Sequence, residues 1–295
     1  MENTNHKAGF VNIIGKPNVG KSTLMNALVG EKLSIITSKA QTTRHRIQGI
    51  VNGEDFQIVY SDTPGILLPG YKLQENMLKA SRSALSDADI LLYVTEADDE
   101  PSEEYPFLEK IKNSKIPVLL VINKIDLSNQ EKLEELSEKW EEILPEARII
   151  PVSALEKFNM DVLFKFILEF LPKGEAFYPK DELSDKSERF FAGEIIREKI
   201  LLNYQQEIPY SVEVEIQEFL EEKKLIRIEA VIYVERDSQK GILIGKSGSA
   251  LKSTGTEARK ELEIFFDMKV FLSLFVKVKK DWRNNDRQLK AFGYR

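Results

Sequence analysis

Gly15-Lys16-Pro17-Asn18-Val19-Gly20-Lys21-Ser22 stands between an apolar run, FVNII at 10–14, and a helical pattern at 22–30. A GxxxxGK[ST] loop in that position commits the chain to a strand–loop–helix unit, because the loop's N–H groups must converge with the helix N-terminus on phosphate oxygens. The pattern up to residue 171 extends the unit. Apolar runs at 56–60, 89–94, 117–122 and 148–152 alternate with helical patterns at 74–86, 130–144 and 159–171. This is the sequence form of an α/β P-loop NTPase with a doubly wound, mostly parallel sheet, assigned to residues 7–172.

Residues 173–188, charged and Pro/Gly-bearing without an apolar period, read as a linker. Beyond them the order changes to helix (189–204), strand (210–217), strand (225–235), a glycine-punctuated helical stretch (238–266) and strand (269–278). That order predicts a small α+β domain at 189–281 with a mainly antiparallel sheet, followed by a C-terminal extension at 282–295.

The absence of cysteine excludes disulfides, thiolate nucleophiles and cysteine-based metal sites, and two histidines, His6 and His45, exclude a multi-histidine zinc centre. His45 reads as a packing or surface residue rather than a general base. The apolar runs fall far short of the roughly 20 residues of a bilayer span, and the first residues lack the core of a signal peptide, so a cytoplasmic protein is expected. The net charge of −6 is unevenly spread. Residues 1–184 carry 21 basic against 29 acidic side chains, net −8, whereas residues 236–295 carry 14 against 7, net +7. The acidity of the whole therefore says nothing against a polyanion partner for the C-terminal half.

Within the P-loop, Gly15, Lys16, Pro17, Asn18, Val19 and Gly20 supply backbone to the phosphates, and Lys21 reaches the β and γ phosphates. Ser22 ligands Mg²⁺, and Thr23 completes the helix N-terminus. Asp62-Thr63-Pro64-Gly65 follows the second apolar run; Asp62 would hold Mg²⁺ and the Gly65 N–H would sense the γ-phosphate, making 65–71 a switch. Residues 39–46, polar and aperiodic, read as a second switch, with Thr43, or failing that Thr42, closing on Mg²⁺. Asn123-Lys124-Ile125-Asp126 ends the fourth run at the carboxyl edge of the sheet. The Asp126 carboxylate can accept from both N1 and N2 of guanine and would repel adenine N1, so GTP and GDP are the expected nucleotides. Ser153-Ala154 would contact the guanine oxygen. Where many small GTPases place a water-orienting glutamine after the motif's glycine, this chain has Ile66, so slow intrinsic hydrolysis is expected.

In the basic half, Gly245-Lys246-Ser247-Gly248 fits the GxxG loop of a KH domain, approached by Gly241 and Ile244 and followed by Lys252. With Lys277 and Lys279 these are the expected RNA contacts, and the element order α-β-β-α-α-β resembles the type II KH fold.

The P-loop, 39–46, DTPG, NKID and VSA elements, in order and spacing, resemble the TRAFAC-class GTPases. GKPNVGKSTLMNAL, KAQTTRHRIQGI, SERFFAGEIIREKI, IPYSVEVE and GTEARKELE before VFLSLFVKVKKDW narrow the likeness to the Era family of bacterial GTPases, over nearly the whole chain. The resemblance implies a single GTPase domain joined to a type II KH domain, binding of the 3′ end of 16S ribosomal RNA and action in small-subunit assembly. It also implies peripheral contact with the inner membrane. In relatives with the same P-loop the asparagine matching Asn18 helps hold K⁺, and that role is expected here. A monomer is expected, in which GTP and RNA favour the same arrangement.

Overall fold

The computed structural model describes residues 5–101 and 107–294; Arg295, the last residue of the expected C-terminal extension, lies outside them. The chain divides into two compact units. The first takes residues up to Ser34, Thr43–Pro69 and Met77–Asp185; the second takes Ile35–Thr42, Gly70–Asn76 and everything from Lys186.

The first unit is built on β1 (Lys7–Gly15), α1 (Lys21–Val29), β2 (Ile47–Asn52), β3 (Phe56–Asp62), the body of α2 (Lys72–Ser86), β4 (Ile90–Glu96), α3 (Leu108–Lys112), β5 (Val118–Asn123), α4 (Gln130–Ile143), β6 (Arg148–Pro151) and α5 (Met160–Phe170). Its six strands run in the order β2-β3-β1-β4-β5-β6, all pairs parallel except β2 with β3. Strands covered on both faces need apolar residues throughout, and Val11, Ile13, Ile58, Val59, Leu92, Leu120 and Ile122 are fully buried. The strand order reverses at β1, so the crevice at its carboxyl end is where such a sheet binds ligands.

Two differences from expectation concern the edge of this sheet. The segment 47–52, for which the sequence predicts no strand, is a strand antiparallel to β3. Residues 173–185, read as a linker, lie along that strand: Ile50 N donates to Leu183 O at 2.9 Å, Gln48 N to Asp185 Oδ1 at 2.9 Å, and Ser184 Oγ to Gln48 O at 2.5 Å. Gln57 fixes the other end, accepting from Phe177 N and Tyr178 N at 2.6 and 2.9 Å. An edge strand offers a row of unpaired backbone groups, and the strap satisfies part of that row.

The second unit contains α6 (Glu188–Asn203), α7 (Ile208–Ser211), β7 (Glu213–Glu222), β8 (Leu225–Val234), α8 (Asp237–Ile244), α9 (Ser249–Phe266), β9 (Lys269–Val278) and α10 (Asp286–Ala291). Its sheet, ordered β7-β8-β9, is mixed rather than mainly antiparallel, because β8 and β9 pair in parallel. Ile226, Ile228, Ala230, Ile232 and Val234 of β8 point to one face and pack with Ile195, Ile196 and Ile200 of α6 and Ala258 and Leu262 of α9. Residues 35–42 belong to this unit through α6: Ile36 N donates to Glu198 Oε1 at 3.2 Å, the Lys39 ammonium to the carbonyls of Leu201 and Tyr204, and the Arg197 guanidinium to the Thr42 carbonyl.

Candidate nucleotide and RNA sites

The P-loop turns from β1 into α1 through backbone that only glycine accepts easily. Gly15 has φ +152°, and a Cβ there would stand 2.2 Å from Val94 O; Gly20 has φ +92°, and a Cβ there would meet Asn123 Nδ2 at 2.2 Å. Lys21, 6% exposed, donates from Nζ to Gly15 O at 3.1 Å and Lys16 O at 2.6 Å, so its ammonium lies inside the loop. Burial pulls its pKa down to about 8, opposed by the Asp62 carboxylate.

Three oxygen-bearing side chains meet at the loop's end. Ser22 Oγ donates to Asp62 Oδ2 at 2.7 Å, Thr43 Oγ1 donates to the same oxygen at 3.1 Å, and the two hydroxyls are 2.9 Å apart. Asp62 Oδ1 is buried without a hydrogen-bond partner. Burial raises the Asp62 pKa, against the hydrogen bond from Ser22 and the charge of Lys21. Two hydroxyls and a carboxylate with a spare oxygen form a hard donor set that fits Mg²⁺. Thr42 is turned elsewhere, its Oγ1 2.6 Å from both Lys39 O and Thr37 Oγ1, so of the two threonines the structure brings Thr43 to this cluster.

The DTPG segment is stapled beside the loop. Thr63 Oγ1 donates to Ile13 O at 2.7 Å, Ser81 Oγ to Pro64 O at 2.8 Å, and Ile66 N to Gly15 O at 3.2 Å. A Cβ at Gly65 would lie 2.7 Å from Pro17 Cα, which explains glycine at that point of close approach. The Ile66 side chain, 4% exposed, packs in the core with Ile14, Leu91 and Tyr93. The residue at the position of the water-orienting glutamine thus faces the interior. Asn18 has φ +66° and is exposed, and His45 is half-buried.

Asn123, 2% exposed, ties the base-recognition loops to the P-loop: its Nδ2 donates to Val19 O at 2.9 Å and its Oδ1 accepts from Ala154 N at 3.0 Å. Ser153 N donates to Phe158 O at 3.2 Å. The N–H groups of Ser153 and Ala154, expected on the guanine oxygen, thus serve first to fix their own loop. Asp126 is exposed in a short 3₁₀ turn that follows Lys124, itself in the left-handed region at φ +61°.

In the second unit the GxxG loop joins α8 to α9 through Gly245 at φ +71°, Ser247 at φ +51° and Gly248 at φ +79°. Tyr204 clamps both flanking helices, donating to Leu243 O at 2.7 Å and accepting from Thr254 Oγ1 at 3.3 Å. A groove of about 330 Å³ opens beside the loop, lined by Gly248, Leu251, Lys252, Gly255, Thr256, Arg259, Leu272 and Leu274. A Cβ at Gly255 would stand 3.1 Å from Leu274 Cδ1, so this glycine keeps the groove open against the strand. Lys246 and Ser247 are exposed at its end, and nothing lies within 4 Å of a Cβ at Gly241.

Three of the residues expected to contact RNA do not line this groove. Lys277 and Lys279 are not brought to the groove, because alternation along β9 puts them on the side away from Leu272 and Leu274. The Lys279 ammonium sits over the rings of Tyr233 and Phe292, at 4.7 and 4.4 Å. Ile244 packs against the hydrophobic core. Gly255, Thr256 and Arg259 also line the groove; the GxxG spacing was the available signal for α9, since one and two helical turns after Lys252 bring them to the same face.

Residues 10–124 match the family described as 50S ribosome-binding GTPase, and residues 207–283 match the KH domain. Two solved structures align over 98% of this chain and 99% of their own at 40% identity. One is Era in complex with MgGDPNP and nucleotides 1506–1542 of 16S ribosomal RNA, TM-score 0.94. The other is a variant of Aquifex aeolicus Era bound to GDP·AlF₄⁻, TM-score 0.93. Both units and their order are shared with these proteins, aligned over nearly the whole chain: the chain belongs to the Era family of GTPases.

Proposed function

We propose that this protein is a GTP-hydrolysing assembly factor of the small ribosomal subunit that binds the 3′ end of 16S ribosomal RNA through its KH domain. The observation that carries the reading is the likeness, over 98% of the chain, to an Era structure holding MgGDPNP and that RNA. The two sites are consistent with it. In the first unit Lys21 neutralises phosphate charge from within the loop, and Ser22, Thr43 and Asp62 would hold Mg²⁺, which supplies charge stabilisation on the transferring phosphoryl group. Asp126 selects guanine. With Ile66 in the core, no side chain at that position orients the attacking water, and slow intrinsic turnover follows. Asn18 is assigned to a K⁺ ion, and equal turnover in potassium and sodium buffers would count against it.

In the second unit the groove beside Gly245–Gly248 accepts a single strand whose phosphates approach the glycine backbone, with Lys246, Lys252 and Arg259 around it. RNA and GTP affinities are coupled and, by linkage, reciprocally so. The packing of residues 35–42 on α6 supports that reading, since Thr43 follows Thr42 directly. GTP hydrolysis and RNA crosslinking with wild type, Lys21→Ala and Gly245→Asp test the assignment: turnover should be lost in Lys21→Ala and crosslinking in Gly245→Asp. RNA affinity that is identical with GDP and a non-hydrolysable GTP analogue would refute the coupling. Among the described residues no helix is long and apolar enough to cross a membrane. Peripheral membrane contact and a monomeric state belong to the same proposal, and vesicle flotation and analytical sedimentation test them.

A further inference from the structure

The turn that follows β4 carries Glu96, Asp98, Asp99 and Glu100, and each carboxylate meets a lysine. The four pairs are of two kinds. Asp98 and Glu100 face Lys132 and Lys139 of α4 at 3.8 and 2.9 Å, with every side chain at least 49% exposed. Glu96 and Asp99 instead hold the lysines of two separate nucleotide-binding loops: Glu96 pairs with Lys124 of the NKID segment and Asp99 with Lys16 of the P-loop, and these side chains are between 16% and 34% exposed. The sheet dictates the juxtaposition. Glu96 lies opposite Asn123 across β4 and β5, with Ala97 N donating to Asn123 O at 3.1 Å, and Val94 lies opposite Gly15 across β4 and β1. One tight turn, closed by Asp99 N donating to Glu96 O at 3.0 Å, therefore reaches both loops. Thr95 Oγ1 steadies the second oxygen of Asp99 at 3.4 Å.

We propose that Glu96 and Asp99 are positioning residues for the bound guanine nucleotide, acting through Lys124 and Lys16. This rests on the nucleotide site assigned above. A lysine on a four-carbon stem loses rotamer freedom when it is placed along a ligand, and an ammonium already held at its tip has lost that freedom before the ligand arrives. The role has a sign that separates it from simple electrostatics. Removing either carboxylate makes the site more positive, which by charge alone tightens binding of an anionic nucleotide; loss of positioning loosens it.

The test is GDP release, followed with a fluorescent GDP, together with steady-state GTP hydrolysis. Glu96→Gln and Asp99→Asn should each speed release by about fivefold, the upper end for a partly exposed ion pair. KM should rise with kcat unchanged, and the gap to wild type should narrow between low and high salt as the pairs are screened. Asp98→Asn and Glu100→Gln should release GDP at the wild-type rate, and Glu96→Asp, which keeps the charge, should restore most of the loss. Unchanged or slower release in Glu96→Gln and Asp99→Asn overturns the proposal, and so does an equal effect in the two α4-facing variants. Wild-type protein that holds no GDP refutes the site itself; wild type that holds GDP, with variants that release it no faster, refutes only the positioning role.

Discussion

Replacing Gly20 by alanine tests whether the P-loop and the base-recognition loops are one mechanical unit. The new Cβ would stand 2.2 Å from Asn123 Nδ2, so the amide must leave its place. Its departure breaks the 2.9 Å bond to Val19 O and the 3.0 Å bond from Ala154 N, and it leaves an N–H in a residue only 3% exposed without an acceptor. An unsatisfied buried donor costs about 1–3 kcal/mol. Alanine at φ +92° adds roughly 1–2 kcal/mol of backbone strain, so Gly20→Ala should destabilise the first unit by about 2–5 kcal/mol. In an Asn123→Ala background the amide is already gone and only the backbone strain remains. The two single substitutions should therefore sum to about 1–3 kcal/mol more than the double variant loses. The chain's two tryptophans fall one in each unit, Trp140 in the first and Trp282 in the second, so urea unfolding in a Trp282→Phe background makes Trp140 the sole reporter. Additivity within about 0.5 kcal/mol would refute the shared role of Asn123.

Other substitutions probe other parts of the argument. Ile66→Gln buries an amide among Ile14, Leu91 and Tyr93; it should lower stability by about 2 kcal/mol without raising GTP turnover, measured by urea unfolding and phosphate release. Gly241→Ala meets open space inside α8 and should stabilise the second unit by about 0.5–1 kcal/mol in thermal unfolding. Gly245→Ala, at φ +71° and ψ −179° with Ala250 Cβ 2.6 Å away, should cost about 1–3 kcal/mol and abolish RNA crosslinking. Arg197→Met removes the buried guanidinium that pairs with Glu194 and should cost about 3–5 kcal/mol, whereas the double change with Glu194→Met should recover most of that loss, as chemical denaturation would read.

What the sequence made legible was whatever is written locally. The P-loop, DTPG, NKID and GxxG segments carry their chemistry within a few residues, and their flanking periodicity places them on the right ends of strands and helices. What escaped it depends on direction or on distant partners. The side of β9 to which Lys277 points is set by its register with β8, Tyr233↔Lys277, which no local pattern reveals. That Ile66 is buried depends on Ile14, Leu91 and Tyr93, which the fold brings to it from other elements. The strap at 173–185 lacks any apolar period because it is held by hydrogen bonds to Gln48, Ile50 and Gln57, more than a hundred residues away.

That strap sets a clock on biosynthesis. Gln48 and Ser184, which meet through the bond from Ser184 Oγ, are separated by 136 residues. At about 5–20 residues per second, roughly 7–27 s pass between synthesis of the edge strand and synthesis of its cover. During that interval the nascent chain carries an open, pairing-competent β-edge, the kind of surface that chaperones engage and that neighbouring nascent chains can join. A chain stopped just before Lys173 would have every nucleotide-binding motif in place and still present that edge to solvent, so its tendency to self-associate, rather than its affinity for GTP, would mark the loss.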